Sequence, residues 1–473
     1  MKTTFRLCVL MMGWVLLIPA SWGQQPTGGP QQPPGQPSMD QSPEAPADQS
    51  APGPVADTRP LTGAEERTAG SLSGARNYIV PSLQLSEFAD SNSRLNYTSS
   101  AHFVSATSVV GRLALQHVKR TNTLALDYMG GGQFYNNDPS LNATIHEIGL
   151  SETVQGRRWG LMLGDRATYL PEPSFGFGGF GSFGGLGSGM GGGFGAGLAN
   201  LNPLYSPSQS ILSGRGYRIS NAAIGQLTYS ASARSQFTAT ASYGLLRFED
   251  PTLIDSDNRV FAVGYNRMMT RHDTLGVLYG VSMFHFRGSG FGFDSHFVQL
   301  TYGRQIAGRL SLELAAGPQI STFKSQLSGS GQSYYWNGHA SLRYRWTRSN
   351  MGLSYSRYST AGSGLFYGAE TDRLELFFDR QLTRSWSGSI NPGYSHNTRL
   401  SQGTATGTKG SYDAAYLGAG IRRNLGRYAD FNLNYSLQQQ RAGSGVNQAN
   451  GTSLVRHVFG LGLNFHPRQI PLD

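Results

Sequence analysis

The sequence predicts an all-β protein, a transmembrane antiparallel up-and-down β-barrel of about 16–18 strands. The first observation is alternation: from about residue 76 onward, segments such as 431–438, Phe-Asn-Leu-Asn-Tyr-Ser-Leu-Gln, alternate large apolar with small or polar residues. Successive side chains of a strand point to opposite faces, so each segment is a strand with one apolar and one polar face. The second is composition: 14% charged residues, 63 Gly, 23 Tyr and 24 Phe suit a sheet with tight turns and aromatic girdles.

The first 23 residues predict a secretory signal peptide. Two basic residues precede an apolar run from Leu7 to Ile18, and small residues follow at the positions that signal peptidases require, which places cleavage after Gly23. Cys8 is the only cysteine and lies inside this peptide. We therefore expect a mature chain without thiol, disulfide or lipid anchor on cysteine.

Residues 24–75 form a Pro-, Gln- and Gly-rich stretch with few large apolar side chains. Such a segment buries too little surface to offset its chain entropy, so its composition predicts a disordered linker on the periplasmic side.

The predicted barrel covers residues 76–467, with a tail at 468–473, and its connections are of two kinds. Tight, charged turns join strand pairs, and longer Gly-, Ser- and Asn-rich loops separate one pair from the next. Examples of the tight turns are 119–122, 156–158, 233–235, 270–273, 347–350 and 383–385. Short turns on one side and long loops on the other are typical of a bacterial outer-membrane barrel, with the turns facing the periplasm and the loops the outside.

The alternation also assigns the two faces of each strand. Leu374, Leu376 and Phe378 belong on the lipid side, because unpaired polar groups are costly in hydrocarbon. The residues between them face the lumen. The same assignment on this and the neighbouring strands gives five candidates for a charged lumen lining: Arg343, Arg345, Glu313, Glu375 and Asp379.

The last strand carries a further signal. His457, Phe459, Leu461, Leu463 and Phe465 alternate up to a terminal aromatic, which resembles the carboxy-terminal strand that the barrel-assembly machinery recognises. With the signal peptide and the hairpins, the chain resembles porin-like outer-membrane β-barrels. The resemblance implies export to the outer membrane, contact with its lipid and with that machinery, and leaves open whether copies of the chain associate.

One loop stands out, residues 173–215, which contains the run Phe-Gly-Phe-Gly-Gly-Phe-Gly at 175–181. The sequence allows three interpretations: a surface loop without a ligand, a constriction folded into the barrel, or a surface for adhesion or self-association.

Other classes of protein fit less well. The basic residues that give the formal charge of +10 are scattered along the chain rather than clustered, which argues against nucleic-acid binding. A soluble propeller would need strands that are apolar on both faces. Histidines lack metal-binding spacing, and adjacent Ser395 and His396 would point to opposite faces, so no cofactor, metal or catalytic site is predicted.

The predicted function is passive diffusion of small hydrophilic solutes or ions through a porin-like channel, with a mild anion preference from the arginines. A surface adhesion or structural protein that acts through its long loops is the alternative, and a hydrolase at the outer rim is a third possibility.

Overall fold

A computed structural model of the chain describes residues 59–64, 77–97, 102–171, 202–207, 209–324, 331–400, 410–443, 453–468 and 470–471. The predicted signal peptide lies outside these residues, as does most of the predicted linker. In this part of the chain no helix is long and apolar enough to cross a membrane.

In the described residues, eighteen long strands of 12–16 residues each form the fold, and a nineteenth of two residues follows. Their bounds are β1 Tyr78–Asp90, β2 Val104–Val118, β3 Asn122–Tyr135, β4 Ala143–Gln155, β5 Trp159–Leu170, β6 Arg218–Ser232, β7 Ser235–Phe248, β8 Ser256–Met268, β9 Asp273–Phe286, β10 Gly292–Ala307, β11 Leu310–Lys324, β12 Gly331–Arg345, β13 Ser349–Thr360, β14 Ala369–Gln381, β15 Trp386–Arg399, β16 Ser411–Asn424, β17 Ala429–Ala442, β18 Ser453–Phe465 and β19 Ile470–Pro471.

Each long strand pairs antiparallel with its neighbours in sequence, and β18 pairs with β1 from Leu83↔Phe465 to Asp90↔Val458. The sheet therefore closes on itself and has no free edge among the long strands. β19 extends the seam by pairing Ile470 and Pro471 with the start of β1. The predicted all-β, up-and-down barrel is confirmed, with a strand count at the upper end of the predicted range.

The connections fall into two classes by length. Turns of two to four residues join β2 to β3 and every second pair thereafter, while the connections at the other end span five residues or more. The sequence pattern between residues 92 and 108 allows either strand or loop. In the structure, residues 92–97 and 102–103 lie in no strand, and β2 begins at Val104.

Large apolar side chains form a belt around the outside of the barrel. Leu433 is 46% exposed and Phe237 is 48% exposed, although both lie within regular strands. Their neighbours Asn432 and Thr238 are buried on the inner side. An apolar belt facing outward and a polar lining facing inward are the arrangement that a barrel needs to lie in a lipid bilayer.

Aromatic residues mark the rims of this belt. Trp159, Tyr229 and Trp346 lie near the short turns. Toward the long loops, Tyr128, Tyr279 and Tyr435 each bond through the hydroxyl to Nδ1 of a histidine one strand away, at 3.1, 3.0 and 3.0 Å. The polar tips of these rings thus have protein partners while the rings add to the apolar surface.

Candidate functional site: the barrel lumen

The strand register places charged side chains of both signs on the inner wall. Cross-strand partners share a face, so the rows can be followed from strand to strand around the barrel. The inward positions of the described strands include the arginines Arg112, Arg166, Arg218, Arg343, Arg345, Arg373, Arg399, Arg422 and Arg456, and the carboxylates Asp90, Asp127, Glu147, Glu313, Glu375, Asp379 and Asp430.

Many of these charges neutralise each other. Ion pairs join Arg112 to Asp127, Arg166 to Glu147, Arg373 to Glu375, Arg422 to Asp430 and Arg456 to Asp90. Because each pair lies on the inner wall, the lumen gains polarity without a strong net charge.

The five lumen candidates from the sequence all lie on the inward rows of one sector, β11 to β14. Glu313 is opposite Ser341. Asn350 is opposite Arg345 on one side and Asp379 on the other, so an arginine and an aspartate flank it in one row. Glu375 forms an ion pair with Arg373, which lies two residues earlier in β14. The structure therefore brings the candidates together as one charged sector of the wall.

The sector from β7 to β10 is different, because its inward positions carry no charged side chain. Threonine, serine and asparagine alternate there with small and apolar residues, and Val260, Ala262, Leu278 and Phe297 form a buried cluster. The lumen thus has a charged sector and an uncharged sector.

A segment of the predicted linker covers the uncharged sector. The Oγ1 atoms of Thr62 and Thr238 are 2.7 Å apart, Asn266 Nδ2 donates to Thr62 Oγ1 at 2.5 Å, and Ala64 N donates to Gln226 Oε1 at 2.5 Å. Thr62 and Ala64 have no exposed surface. Residues 59–64 therefore lie inside the barrel.

For these six residues the prediction of a disordered linker is corrected. The reason is a groove in the wall that composition cannot reveal. A Cβ atom on Gly264 would lie 2.4 Å from the Thr62 side chain, and one on Gly303 would lie 2.7 Å from that of Leu61. Glycine at both positions leaves room for the side chains of Leu61 and Thr62 to lie against the wall.

The described part of the long loop enters the lumen and meets this segment. Asn202 N donates to the Ala64 carbonyl at 2.8 Å, and a short 3-10 turn, Pro203–Tyr205, follows. Tyr205 is fully buried in the cluster with Ala64 and Phe297, and this burial raises the pKa of its hydroxyl well above the ordinary value. Residues 59–64 and the turn Pro203–Tyr205 are the two inserts of the lumen, and together they occupy the space against the uncharged sector.

The loop then crosses to the far wall. Ser210 Oγ donates to Asn397 Oδ1 at 2.5 Å, and Ser210 N donates to Ser363 Oγ at 3.0 Å. Leu212 N donates to Gln440 Oε1 at 2.7 Å. These described residues of the loop lie inside the barrel, while the Gly/Phe run at 175–197, on which the three interpretations rest, lies outside the described residues.

Arg215 anchors the loop to two others. Its guanidinium donates to the carbonyls of Ser93 and Leu141 and to the Tyr135 hydroxyl, and lies over the Tyr135 ring at 4.7 Å. The fork of donors on one arginine thus links three loops at the rim of the lumen.

We expect Arg215→Ala to loosen the constriction. Loss of a charged hydrogen-bond donor costs about 1.5–3 kcal/mol, so the population with a displaced loop should rise on the order of tenfold or more. Single-channel recordings should show more frequent transitions to a larger current. Arg215→Lys, which keeps the charge but loses the fork, should lie between the two, and identical recordings for all three proteins would contradict the anchoring role.

The arrangements that would suggest other chemistry are not assembled. Ser395 faces inward and donates to the Ser210 carbonyl at 3.1 Å, whereas His396 faces outward, with its Nδ1 2.7 Å from Asp413 Oδ1. Within the described ranges, no group of three or more His, Cys, Asp or Glu side chains is placed to hold a metal ion.

Comparison with known proteins gives structural similarity only. No protein-family model matches the chain, and no curated protein matches it. Among solved structures, OpdL of Pseudomonas aeruginosa is 13% identical, with a TM-score of 0.41 over 83% of this chain and 98% of that one. P. aeruginosa OccK2 (OpdF), solved in complex with glucuronate, is 12% identical, with a TM-score of 0.43 over 82% and 98%. Acinetobacter baumannii OccAB3 is 10% identical, with a TM-score of 0.43 over 82% and 99%.

Proposed function

We propose that this chain is an outer-membrane channel for the passive diffusion of small hydrophilic solutes. The observation that carries the proposal is the closed barrel of eighteen strands with an apolar outer belt and a polar, charged inner wall. Barrels of sixteen to eighteen strands are wide enough to leave an aqueous lumen, and a wall rich in hydroxyl, amide and ionic groups suits water and polar solutes.

The two inserts set the expected size of this channel. The N-terminal segment 59–64 and the turn Pro203–Tyr205 occupy the space along β7 to β10, and Ser210 and Leu212 cross to β15 and β17. The remaining passage therefore follows the charged sector formed by β11 to β14. We therefore expect a smaller conductance than that of an unobstructed barrel with the same number of strands.

The location follows from the outer belt together with the predicted signal peptide. An exported barrel with this belt belongs in the outer membrane of a two-membrane envelope. The alternating strand β18 supports insertion by the barrel-assembly machinery, because its outward row Phe459, Leu461, Leu463 and Phe465 is 40–52% exposed.

The proposal is tested by refolding the mature protein into a planar lipid bilayer. We expect discrete current steps of small size in KCl. Protein that is shown to be folded by its heat-dependent mobility in SDS gels, and yet gives no steps at any protein concentration that inserts, would overturn the channel function.

Ion selectivity should be weak and adjustable. Arginines only slightly outnumber carboxylates on the inner wall, and several of them are paired, so we expect a small anion preference in a salt gradient. A unit charge about 8 Å from a permeating ion contributes about 0.5 kcal/mol in water, on the order of a twofold change in permeability ratio. Asp379→Asn should raise the anion preference by about this factor and Arg345→Gln should lower it. Shifts in the same direction for both variants would show that these residues do not line the path.

A further inference from the structure

We propose that the uncharged groove on β7 to β10 is a binding site for neutral, hydroxyl-rich solutes, and that residues 59–64 occupy it as a displaceable plug. This inference rests on the proposed channel function and names the class of solute that the channel favours. The groove is defined by Thr238, Ser242, Asn266, Ser282 and Thr301 on its polar positions.

The first argument is a set of buried polar groups without a hydrogen-bond partner in the described part of the chain. The hydroxyls of Ser242, Ser282 and Thr301 and the Oδ1 atom of Asn266 make no hydrogen bond to any described residue, and all four side chains are at most 6% exposed. A buried polar group without a partner is energetically unfavourable, because it has lost its hydrogen bonds to water. A wall that holds four such groups on adjacent strands is suited to an occupant with more hydroxyl groups than the plug supplies.

The second argument is the chemistry of the groove. Hydroxyl and amide groups both donate and accept hydrogen bonds, and the inward positions of β7 to β10 carry no charge to pair with an ion. A charged solute would lose its hydration there without compensation. The apolar floor of Val260, Leu278 and Phe297 can contact the C–H surface of a sugar-like solute, as is usual in ligand sites with a few placed polar groups.

The third argument is that the plug itself imitates such a solute. The Thr62 hydroxyl bonds with the Thr238 hydroxyl and accepts from the Asn266 amide, which is how a solute hydroxyl would be held. Residues 59–64 belong to no strand, so their removal breaks none of the sheet's ladder. Displacement of the plug therefore opens the groove and leaves the barrel closed.

A reversible cross-link tests the proposal. Thr62 and Thr238 have side-chain oxygens 2.7 Å apart, so the double variant Thr62→Cys/Thr238→Cys should form a disulfide, whose S–S length is about 2.05 Å. Cys8 is the chain's only cysteine and lies in the predicted signal peptide, so the mature protein brings no competing thiol. Reduction releases the plug from the wall within the same preparation.

The readout is the swelling of proteoliposomes in arabinose, with gluconate and lysine as charged probes of similar size, beside the conductance in KCl. We expect oxidation to slow arabinose entry at least fivefold relative to the reduced protein, with a change below twofold for both charged probes. The matched control is Thr360→Cys/Thr371→Cys, whose side-chain oxygens are 3.3 Å apart on β13 and β14, outside the groove. Its disulfide leaves the plug free, so oxidation should not change arabinose entry.

A single variant tests the groove separately from the plug. Thr301→Val keeps the shape of the side chain and removes the unpartnered hydroxyl, so we expect arabinose entry into liposomes with the otherwise native protein to fall about threefold. Ser389→Ala, on the opposite wall, should leave it unchanged.

The outcomes separate the two proposals. Two results would overturn the proposed binding groove and its plug: equal arabinose rates for the oxidised and reduced Thr62→Cys/Thr238→Cys protein, or equal slowing of neutral and charged probes. Current steps in KCl would still support the channel function in either case. Folded protein that gives no KCl steps in either redox state overturns the channel and this inference with it.

Discussion

Arg456→Leu should destabilise the barrel by about 3–5 kcal/mol, the largest effect that we expect from a single substitution. Arg456 Nε lies 3.0 Å from both carboxylate oxygens of Asp90, and the two side chains are 3% and 0% exposed. The pair joins β18 to β1 across the seam. Its loss leaves the Asp90 carboxylate buried without its arginine, and desolvation of an unpaired charge is the dominant cost.

The double variant Asp90→Leu/Arg456→Leu is the matched control. Removing both charges should recover much of the lost stability, because two apolar side chains leave no buried charge. The measurement is the urea midpoint of unfolding in lipid vesicles, or the temperature at which the folded band disappears in SDS gels. A double variant less stable than Arg456→Leu alone would contradict this account of the seam.

Leu433→Arg should hinder insertion of the barrel into lipid. Leu433 lies in the outer belt, 46% exposed, and a cation on the lipid face near mid-bilayer costs about 2–4 kcal/mol. Asn434, the next residue, faces inward opposite Gly460, so Asn434→Arg should be tolerated. The measurement is the folding yield in vesicles of a single lipid. Equal yields for the two variants would show that the faces of β17 are assigned wrongly.

The architecture could be predicted because it repeats a local pattern. Alternation along β17 and β18 requires only the two-residue period of a strand, and the short charged turns fix which strands are neighbours. The same period places Glu313, Arg345 and Asp379 on one face. Predicting which face of a strand a residue occupies needs no knowledge of distant contacts. For this reason the approximate strand number and the inward positions could be predicted from the sequence.

The contents of the lumen could not be predicted in this way. Thr62 lies against Thr238, 176 residues away in sequence, and Leu212 bonds with Gln440, 228 residues away. Neither Thr62 nor Leu212 belongs to an alternating segment, and the composition of 24–75 indicates only that the segment cannot fold by itself. A groove formed by Gly264 and Gly303 on separate strands supplies what the segment lacks, and the spacing of glycines in one sequence does not reveal it.

The pairing of β1 with β18 also determines how the molecule must be made. Every other pairing between long strands joins neighbours in sequence, whereas the β1–β18 pairing brings Asp90 to Arg456, 366 residues later in the chain. Until the last strand is synthesised and delivered, β1 has an open edge that could pair with any other strand. Closure is therefore a single late event with a high loop-closure cost, and it makes the barrel slow to complete and exposed to aggregation until then. A chain that ended before β18 would form a curled sheet with two unpaired edge strands and not a smaller pore.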